Sequence, residues 1–74
     1  MKPYIIWLEY KGKEMNLTGD GSYHDYDTAL EIAQDWLWKQ ELRNPDLVHL
    51  AQLSLVPIKS GGRKDWSAAE PVEI

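Results

Sequence analysis

The sequence predicts a small α+β domain, in which a three- or four-stranded sheet packs on one long helix in the order β-β-α-β with a possible last strand. Residues 25–43 have the apolar period of an amphipathic helix, and strand-like apolar runs flank them at residues 3–10 and 48–58. The chain has 74 residues, which is enough for one domain. We expect the domain to span residues 1–68 and residues 69–74 to form a disordered tail.

The first predicted strand, residues 3–10, is apolar on both faces as far as Leu8. Alternating side chains divide between the faces as Tyr4, Ile6, Leu8 and Tyr10 on one and Ile5, Trp7 and Glu9 on the other. A strand with two apolar faces is typically covered on both sides of its sheet. Pro3 fits the first position of a strand, where no ladder donor is needed.

A hairpin is expected to follow this strand. The turn is predicted at residues 11–13, which contain a glycine but not the Asn-Gly pair typical of the tightest hairpins. Residues 14–18 are expected to form a short return strand, with Met15 and Leu17 facing inward. Two glycines around an aspartate in residues 19–22 predict a loop.

The helix is predicted to begin after Asp25 as its N-cap, with Thr28 as an alternative start three residues later. At about 100° per residue, one face of this helix is apolar. Its members are Tyr26, Ala29, Leu30, Ala33, Trp36, Leu37 and Gln40, with Ile32 on the flank. The two alanines would let the helix lie close to a sheet. Pro45 is expected to end the helix, and residues 44–46 are expected to form a turn.

A strand after the helix is predicted at residues 48–58. Its two faces are Ala51, Leu53 and Leu55 on one side and Leu50, Gln52, Ser54 and Val56 on the other. The β-α-β order and the length of the crossover would permit parallel pairing with the first strand. Pro57 is expected near the strand's end or on an edge. A short last strand is expected near residues 64–67.

The composition argues against several classes of protein. The chain has no Cys, so disulfides and thiolate metal sites are ruled out. The net charge of −4 argues against binding to a phosphate backbone, which depends on Lys and Arg. The chain has no run of about 18 apolar residues, so no membrane span is predicted. The short apolar run near the N-terminus does not fit a signal peptide. A cytoplasmic location is therefore expected.

Trp38 is the most informative candidate for a functional residue. On the helical wheel it lies about 120–150° from the centre of the apolar face, one turn from Leu42. A Trp and a Leu so placed on a charged face predict a protein-contact surface, because Trp is enriched in binding hot spots. The alternative is that the tail or a loop covers Trp38. Trp7 and Trp66 are further contact candidates, because one helix can cover only one face of the sheet.

Two weaker candidates concern anions and nucleic acid. Lys59, Arg63 and Lys64 surround two glycines and could contact an anion. A solvated turn is the simpler interpretation, because the P-loop spacing and a following helix are both missing. Stacking of single-stranded nucleic acid is a second possibility, although such platforms accompany basic grooves. Its aromatic side chains would be Tyr23, Tyr26, Trp7 and Trp66.

The sequence favours neither a metal site nor catalysis. Asp20, His24, Asp25 and Asp27 form a local acidic cluster, but their spacing does not match a calcium loop. Asp25 and Asp27 are explained by the start of the helix. Nothing in the order of the Ser, Thr and His residues couples a nucleophile to a base, and His49 is interpreted as structural. We therefore predict no catalytic residue, no metal and no cofactor.

The predicted function is a small non-enzymatic protein-interaction module or accessory subunit that self-associates. This follows from apolar side chains on both strand faces and on the back of the helix. The alternative is a nucleic-acid-binding domain that uses the basic loop at residues 59–64 and nearby aromatics. A small metal-dependent enzyme is less favoured, because 74 residues seldom build a pocket alone. We expect a protein partner or a homo-oligomer and no small-molecule ligand.

Overall fold

A computed structural model describes residues 2–19 and 23–72 of the chain. The elements in chain order are strands β1 (Tyr4–Tyr10) and β2 (Lys13–Asn16), helices α1 (Tyr26–Arg43) and α2 (Pro45–Leu50), and strands β3 (Ala51–Pro57) and β4 (Glu70–Pro71), with 3-10 turns at Ser60–Gly62 and Trp66–Ala68 before β4. The strands form an antiparallel sheet in the spatial order β2-β1-β3-β4. The predicted α+β class and its β-β-α-β order are confirmed, and the possible last strand is present.

The direction of β3 is set by the hairpin that precedes the long helix. Lys11 and Gly12 form the hairpin turn, with φ angles of 49° and 78°. Strand β2 returns the chain to the start of β1, where His24 pairs with Tyr4 just before α1. The helix then runs back toward the end of β1, so β3 starts opposite Tyr10 and is antiparallel to β1. The parallel pairing that the crossover length would permit does not occur.

Helix α1 starts at Tyr26 with Asp25 as its N-cap. The Asp25 Oδ1 atom accepts a hydrogen bond from the Thr28 N–H at 3.1 Å. The predicted N-cap is confirmed, and the alternative start at Thr28 is wrong. Ala29 and Ala33 are fully buried between the helix and the sheet. Small side chains at these two positions let the helix axis lie close to the strands.

The Asp25 cap makes part of the stability depend on pH. Hydrogen bonds from Thr28 lower the pKa of the Asp25 carboxyl below its ordinary value of 3.8. Because the folded-state pKa is the lower one, the cap stabilises the fold above pH 3.8, and this contribution is lost as the pH falls through the folded-state pKa. We expect Asp25→Asn to keep the cap and to flatten the pH dependence of urea unfolding below about pH 4. Asp25→Ala should weaken the fold at neutral pH as well. Identical pH profiles for the wild type and Asp25→Asn would contradict this assignment.

The segment after α1 differs from the sequence prediction. Asn44 caps the end of α1, and Pro45 is the first residue of α2 instead of part of a turn. Proline fits this position, because the first helical N–H needs no partner. Residues 48–50 therefore belong to α2, and the strand begins at Ala51. The assignment of Leu50 to a sheet face is wrong, since it lies exposed at the end of α2.

The inner layer of the core lies between α1 and the sheet. Its buried members are Ile6, Leu8, Ala29, Ala33, Leu37, Leu53 and Leu55. Leu17 packs against this layer, as predicted. Met15 lies opposite Leu8 but is 58% exposed, so the prediction of an inward-packed Met15 is wrong. The physical reason is that β2 is an edge strand, whereas α1 packs over β1 and β3.

A second buried layer lies on the other face of the sheet. Ile5 and Val56 are directly opposite each other on β1 and β3, and both are buried. Helix α1 lies on the other face, whereas Trp66 from the segment after β3 contacts Trp7 on this one. The Asp65 N–H donates to the Pro57 carbonyl at 2.8 Å, and the turn Trp66–Ala68 packs on β3. The chain itself thus covers part of the second apolar face.

The described chain ends in an edge strand. Strand β4 pairs with β3, and the Val72 N–H donates to the Leu53 carbonyl at 2.7 Å. The last strand therefore lies later in the chain than the predicted residues 64–67. The tail predicted at residues 69–74 overlaps β4 and Val72, whose backbone groups hydrogen-bond to β3. Residues 73 and 74 lie outside the described part of the chain.

Candidate functional site

Trp38 and Leu42 form an exposed apolar pair on α1, which we call the outer helix surface. Trp38 is 55% exposed and Leu42 is 69% exposed. Their spacing of one turn places them side by side on the helix. The inner face of α1 fills the core without either of them. Their predicted position away from the sheet agrees with this exposure, and no loop or tail within the described residues buries Trp38.

The charges of residues 35–43, the segment of α1 that contains Trp38 and Leu42, balance one another, and Glu31 lies two turns before Trp38 on the same side of the helix. Asp35 and Lys39 form an ion pair, with 2.9 Å between Oδ2 and Nζ. Glu41 and Arg43 follow, so residues 35–43 contain two acidic and two basic side chains. The whole chain has a net charge of −4, so this part of the surface is less acidic than the rest. An exposed ion pair contributes only about 0–1 kcal/mol, so the apolar pair is the dominant feature of this surface.

Trp7 and Trp66 are in contact on the opposite side of the sheet. Their ring centroids lie 5.0 Å apart, and the ring planes meet at 79° in an edge-to-face arrangement. Strand β1 positions Trp7, which is half-buried, and the turn Trp66–Ala68 positions Trp66, which is 52% exposed. The structure therefore brings together two of the four predicted contact residues and leaves the other two on a separate surface.

Asp65 fixes the turn that carries Trp66. Its carboxylate accepts a hydrogen bond from the Ser67 hydroxyl at 2.6 Å and lies 3.8 Å from the Lys59 Nζ. The Ser67 hydrogen bond and then the Lys59 charge lower the pKa of Asp65. The carboxylate is therefore charged at neutral pH and holds the turn in place beside Trp7.

A shallow hollow opens beside the two tryptophans, with a volume of about 430 Å³. We call it the tryptophan–glutamate hollow, and it is lined by Trp7, Glu9, Glu14, Ser54, Trp66 and Ala69. Glu9 and Glu14 are directly opposite each other on β1 and β2. Like charges in such a cross-strand pair repel each other. The fold therefore gains nothing from this pair.

Sequence reasoning missed both glutamates, although a signal was present. Glu9 shares a strand face with Trp7 by simple alternation. A two-residue turn at Lys11 and Gly12 pairs residue 9 with Glu14 across the hairpin. The contact between Trp7 and Trp66 left no comparable signal, because the two residues lie near opposite ends of the sequence.

The predicted anion-contact residues do not converge on one point. Lys59 lies beside Asp65, and the Lys64 Nζ lies over the Trp7 ring, 5.7 Å from its centroid. Arg63 is exposed, and its carbonyl accepts a hydrogen bond from the Lys59 N–H at 2.7 Å. Two of the three cations thus face groups of this chain. The interpretation as a charged, solvated turn fits this geometry better than an anion site.

Two aspartates of the acidic cluster stabilise the start of helix α1. Asp25 caps it, and Asp27 lies in its first turn, where a negative charge is favourable. The His24 backbone pairs with Tyr4 in the sheet. Asp20 lies outside the described residues. Among the residues that the structure describes, no group of three or more His, Cys, Asp and Glu side chains is placed to hold a metal ion.

Tyr26 does not join the two tryptophans. Its ring is in edge-to-face contact with Tyr4, with 5.3 Å between centroids. The Glu70 carboxylate beside Tyr26 raises the pKa of the phenol. Tyr26 lies at the helix side of the sheet, whereas Trp7 and Trp66 lie on the other side. The aromatic side chains that could stack on nucleic acid therefore do not form one continuous surface.

Comparison with protein-family models, with curated proteins and with solved structures finds no match. Within the described part of the chain, no helix is both long and apolar enough to cross a membrane. The outer helix surface and the tryptophan–glutamate hollow are therefore the basis for assigning a function.

Proposed function

We propose that this protein is a non-enzymatic interaction module that self-associates through its outer helix surface. The observation that carries this proposal is the exposure of Trp38 and Leu42, one turn apart on a face that the core does not use. A buried Trp can remove about 150–250 Å² from water, which makes Trp38 the natural anchor of a contact. A cytoplasmic location is part of the proposal, and the lack of Cys is compatible with it.

The occupant that fits this surface best is a second copy of the chain. A twofold contact places the same patch on both sides of the interface, so the patch must be compatible with itself. Residues 35–43 carry two acidic and two basic side chains, so this segment has no net charge that would repel a second copy of itself. Oligomerisation is also a common way to stabilise domains of this size when disulfides and metals are not used.

Sedimentation equilibrium of the wild type and of Trp38→Gln tests the proposal. We expect the apparent mass of the wild type to rise from 8.6 kDa toward twice that value with increasing concentration. Loss of a Trp anchor costs about 2 kcal/mol, so Trp38→Gln should raise the dissociation constant about 30-fold. Leu42→Gln should act in the same direction with a smaller effect.

Gln52→Ala is the control, because Gln52 is exposed on β3, on the face of the sheet opposite α1. It should leave the dissociation constant within about twofold of the wild type, since surface substitutions outside a contact change little. A wild type that stays at 8.6 kDa up to about millimolar concentration would refute self-association. Equal dissociation constants for the wild type and Trp38→Gln would mean that the copies meet at a surface other than the outer helix surface.

Nucleic-acid binding is the second candidate, and the geometry supports it less. Lys59 and Lys64 already face Asp65 and Trp7, and the hollow beside Trp7 carries two glutamates that repel phosphate. A tryptophan fluorescence titration with single-stranded oligonucleotides separates the two candidates. We expect no quenching at low salt, whereas salt-sensitive quenching would favour the nucleic-acid candidate.

A further inference from the structure

We infer that the tryptophan–glutamate hollow binds a lysine or arginine side chain of a basic polypeptide segment. This binding site is distinct from the outer helix surface, because the sheet separates the two. It therefore does not depend on self-association. Three features of the hollow carry the inference, namely its aromatic wall, its two exposed carboxylates and its position at a sheet edge.

The aromatic wall already accepts a cation from this chain. The Lys64 Nζ lies over the Trp7 ring at 5.7 Å from the centroid, which is within the range of a cation–π contact. Trp66 stands edge-to-face against Trp7 and forms the adjoining wall. The Lys64 ammonium thus marks the kind of group that this wall attracts. A basic side chain from a partner would compete with Lys64 for the same ring.

The carboxylates supply the charge that a basic side chain requires. Glu9 and Glu14 face each other across β1 and β2, and both are exposed. Within the described residues, neither of them belongs to an ion pair. A cation placed between them would relieve their mutual repulsion and gain charge-assisted hydrogen bonds. Two carboxylates are too few for a calcium ion, which takes six to eight oxygen ligands.

The position of the hollow favours a polypeptide over a free small cation. Glu14 lies on β2, which is the edge strand of the sheet. An edge strand presents unpaired backbone groups along its outer side, and an extended segment can pair with them. A segment held in this way would direct a basic side chain into the adjoining hollow.

A fluorescence titration with two synthetic peptides tests the inference. The first probe is a capped peptide of alternating glycine and lysine, and the second has every lysine acetylated. We expect the lysine peptide to change the tryptophan emission with a saturable curve and the acetylated peptide to have no effect. In Glu9→Gln/Glu14→Gln the affinity for the lysine peptide should fall about tenfold, since two exposed charge contacts are lost.

The control for net charge is Glu31→Gln/Glu41→Gln on α1, which removes the same two charges from the other side of the molecule. Its affinity should stay within about twofold of the wild type if the hollow is the site. Equal losses in both double variants would overturn the inference, because they would indicate attraction by net charge alone. Thermal unfolding of Glu9→Gln/Glu14→Gln should occur at or above the wild-type midpoint, since a repulsive pair is removed. If it does, a loss of binding cannot be attributed to unfolding.

Two further binding measurements extend the test. Lys64→Gln should bind the lysine peptide more tightly than Lys39→Gln, although both variants lose one positive charge, because only Lys64 lies over the Trp7 ring. The opposite order would count against the hollow. Tetramethylammonium should compete only weakly with the peptide. If it binds as tightly as the peptide does, the site takes small cations and the polypeptide assignment is wrong.

Discussion

Ala33→Leu is expected to destabilise the protein by about 2–3 kcal/mol, because it forces extra volume into a close contact between helix and sheet. Ala33 is fully buried in the middle of α1 and belongs to the same buried cluster as Leu53 and Leu55 of β3. A leucine at this position would push α1 away from the strands or force strained rotamers. Urea unfolding followed by far-UV circular dichroism measures the change.

Gln34→Leu is the matched control for Ala33→Leu, since it adds a leucine at the next residue of the same helix. Gln34 is exposed, so we expect a change within about 0.5 kcal/mol. Equal unfolding free energies for the two variants would mean that α1 does not lie close to the sheet at Ala33. That result would contradict the described packing of the inner core layer.

Val56→Asp is expected to destabilise the protein even more than Ala33→Leu, by about 4 kcal/mol or more. Val56 is 0% exposed on the outer face of β3, opposite Ile5. An aspartate there would either be charged without a partner or be protonated, and either state costs free energy at neutral pH. Native proteins have only about 5–15 kcal/mol of total stability, so this loss should remove about a quarter of it or more. The same urea titration measures the loss.

Gln52→Asp provides the comparison for Val56→Asp. Gln52 lies on the same strand and the same face but is exposed. It faces Glu9 across the sheet, so we expect a loss of up to about 1 kcal/mol from like-charge repulsion. A Val56→Asp variant as stable as Gln52→Asp would show that the segment after β3 does not cover this face.

The long helix could be predicted from the sequence because its signals are local. The Asp25 cap and the spacing of Ala29, Ala33 and Leu37 depend only on neighbouring residues. The same wheel placed Trp38 and Leu42 away from the sheet, and their exposure agrees with that placement.

The segment at residues 45–50 could not be assigned in this way. Pro45 ends one helix and begins another, and both roles are compatible with the same residue. The apolar run from Leu47 onward fits a strand and a buried helix equally well over so few residues. The pairing direction of β3 depends on which end of β1 the chain has reached after the first hairpin, which is a property of the whole fold.

The second face of the sheet depends on contacts that are distant in sequence. The surplus of apolar residues on β1 and β3 predicted that the second face of the sheet is covered. It did not predict which segment or partner covers that face. The chain's own segment around Trp66 packs on this face of the sheet, where Ile5 and Val56 are buried. Self-association is therefore not needed there, and the proposal for it rests on Trp38 and Leu42.

The accessibility of Trp38 at different protein concentrations tests self-association most directly. The four tryptophans can be labelled with 5-fluorotryptophan and assigned in ¹⁹F NMR spectra by single Trp→Phe variants. A soluble paramagnetic gadolinium chelate then broadens the resonances of exposed rings. We expect the Trp38 resonance to be strongly broadened in dilute protein and protected in concentrated protein, while Trp66, which is similarly exposed, is broadened in both. Equal broadening of Trp38 and Trp66 at every concentration would contradict the proposal that two copies meet at the outer helix surface.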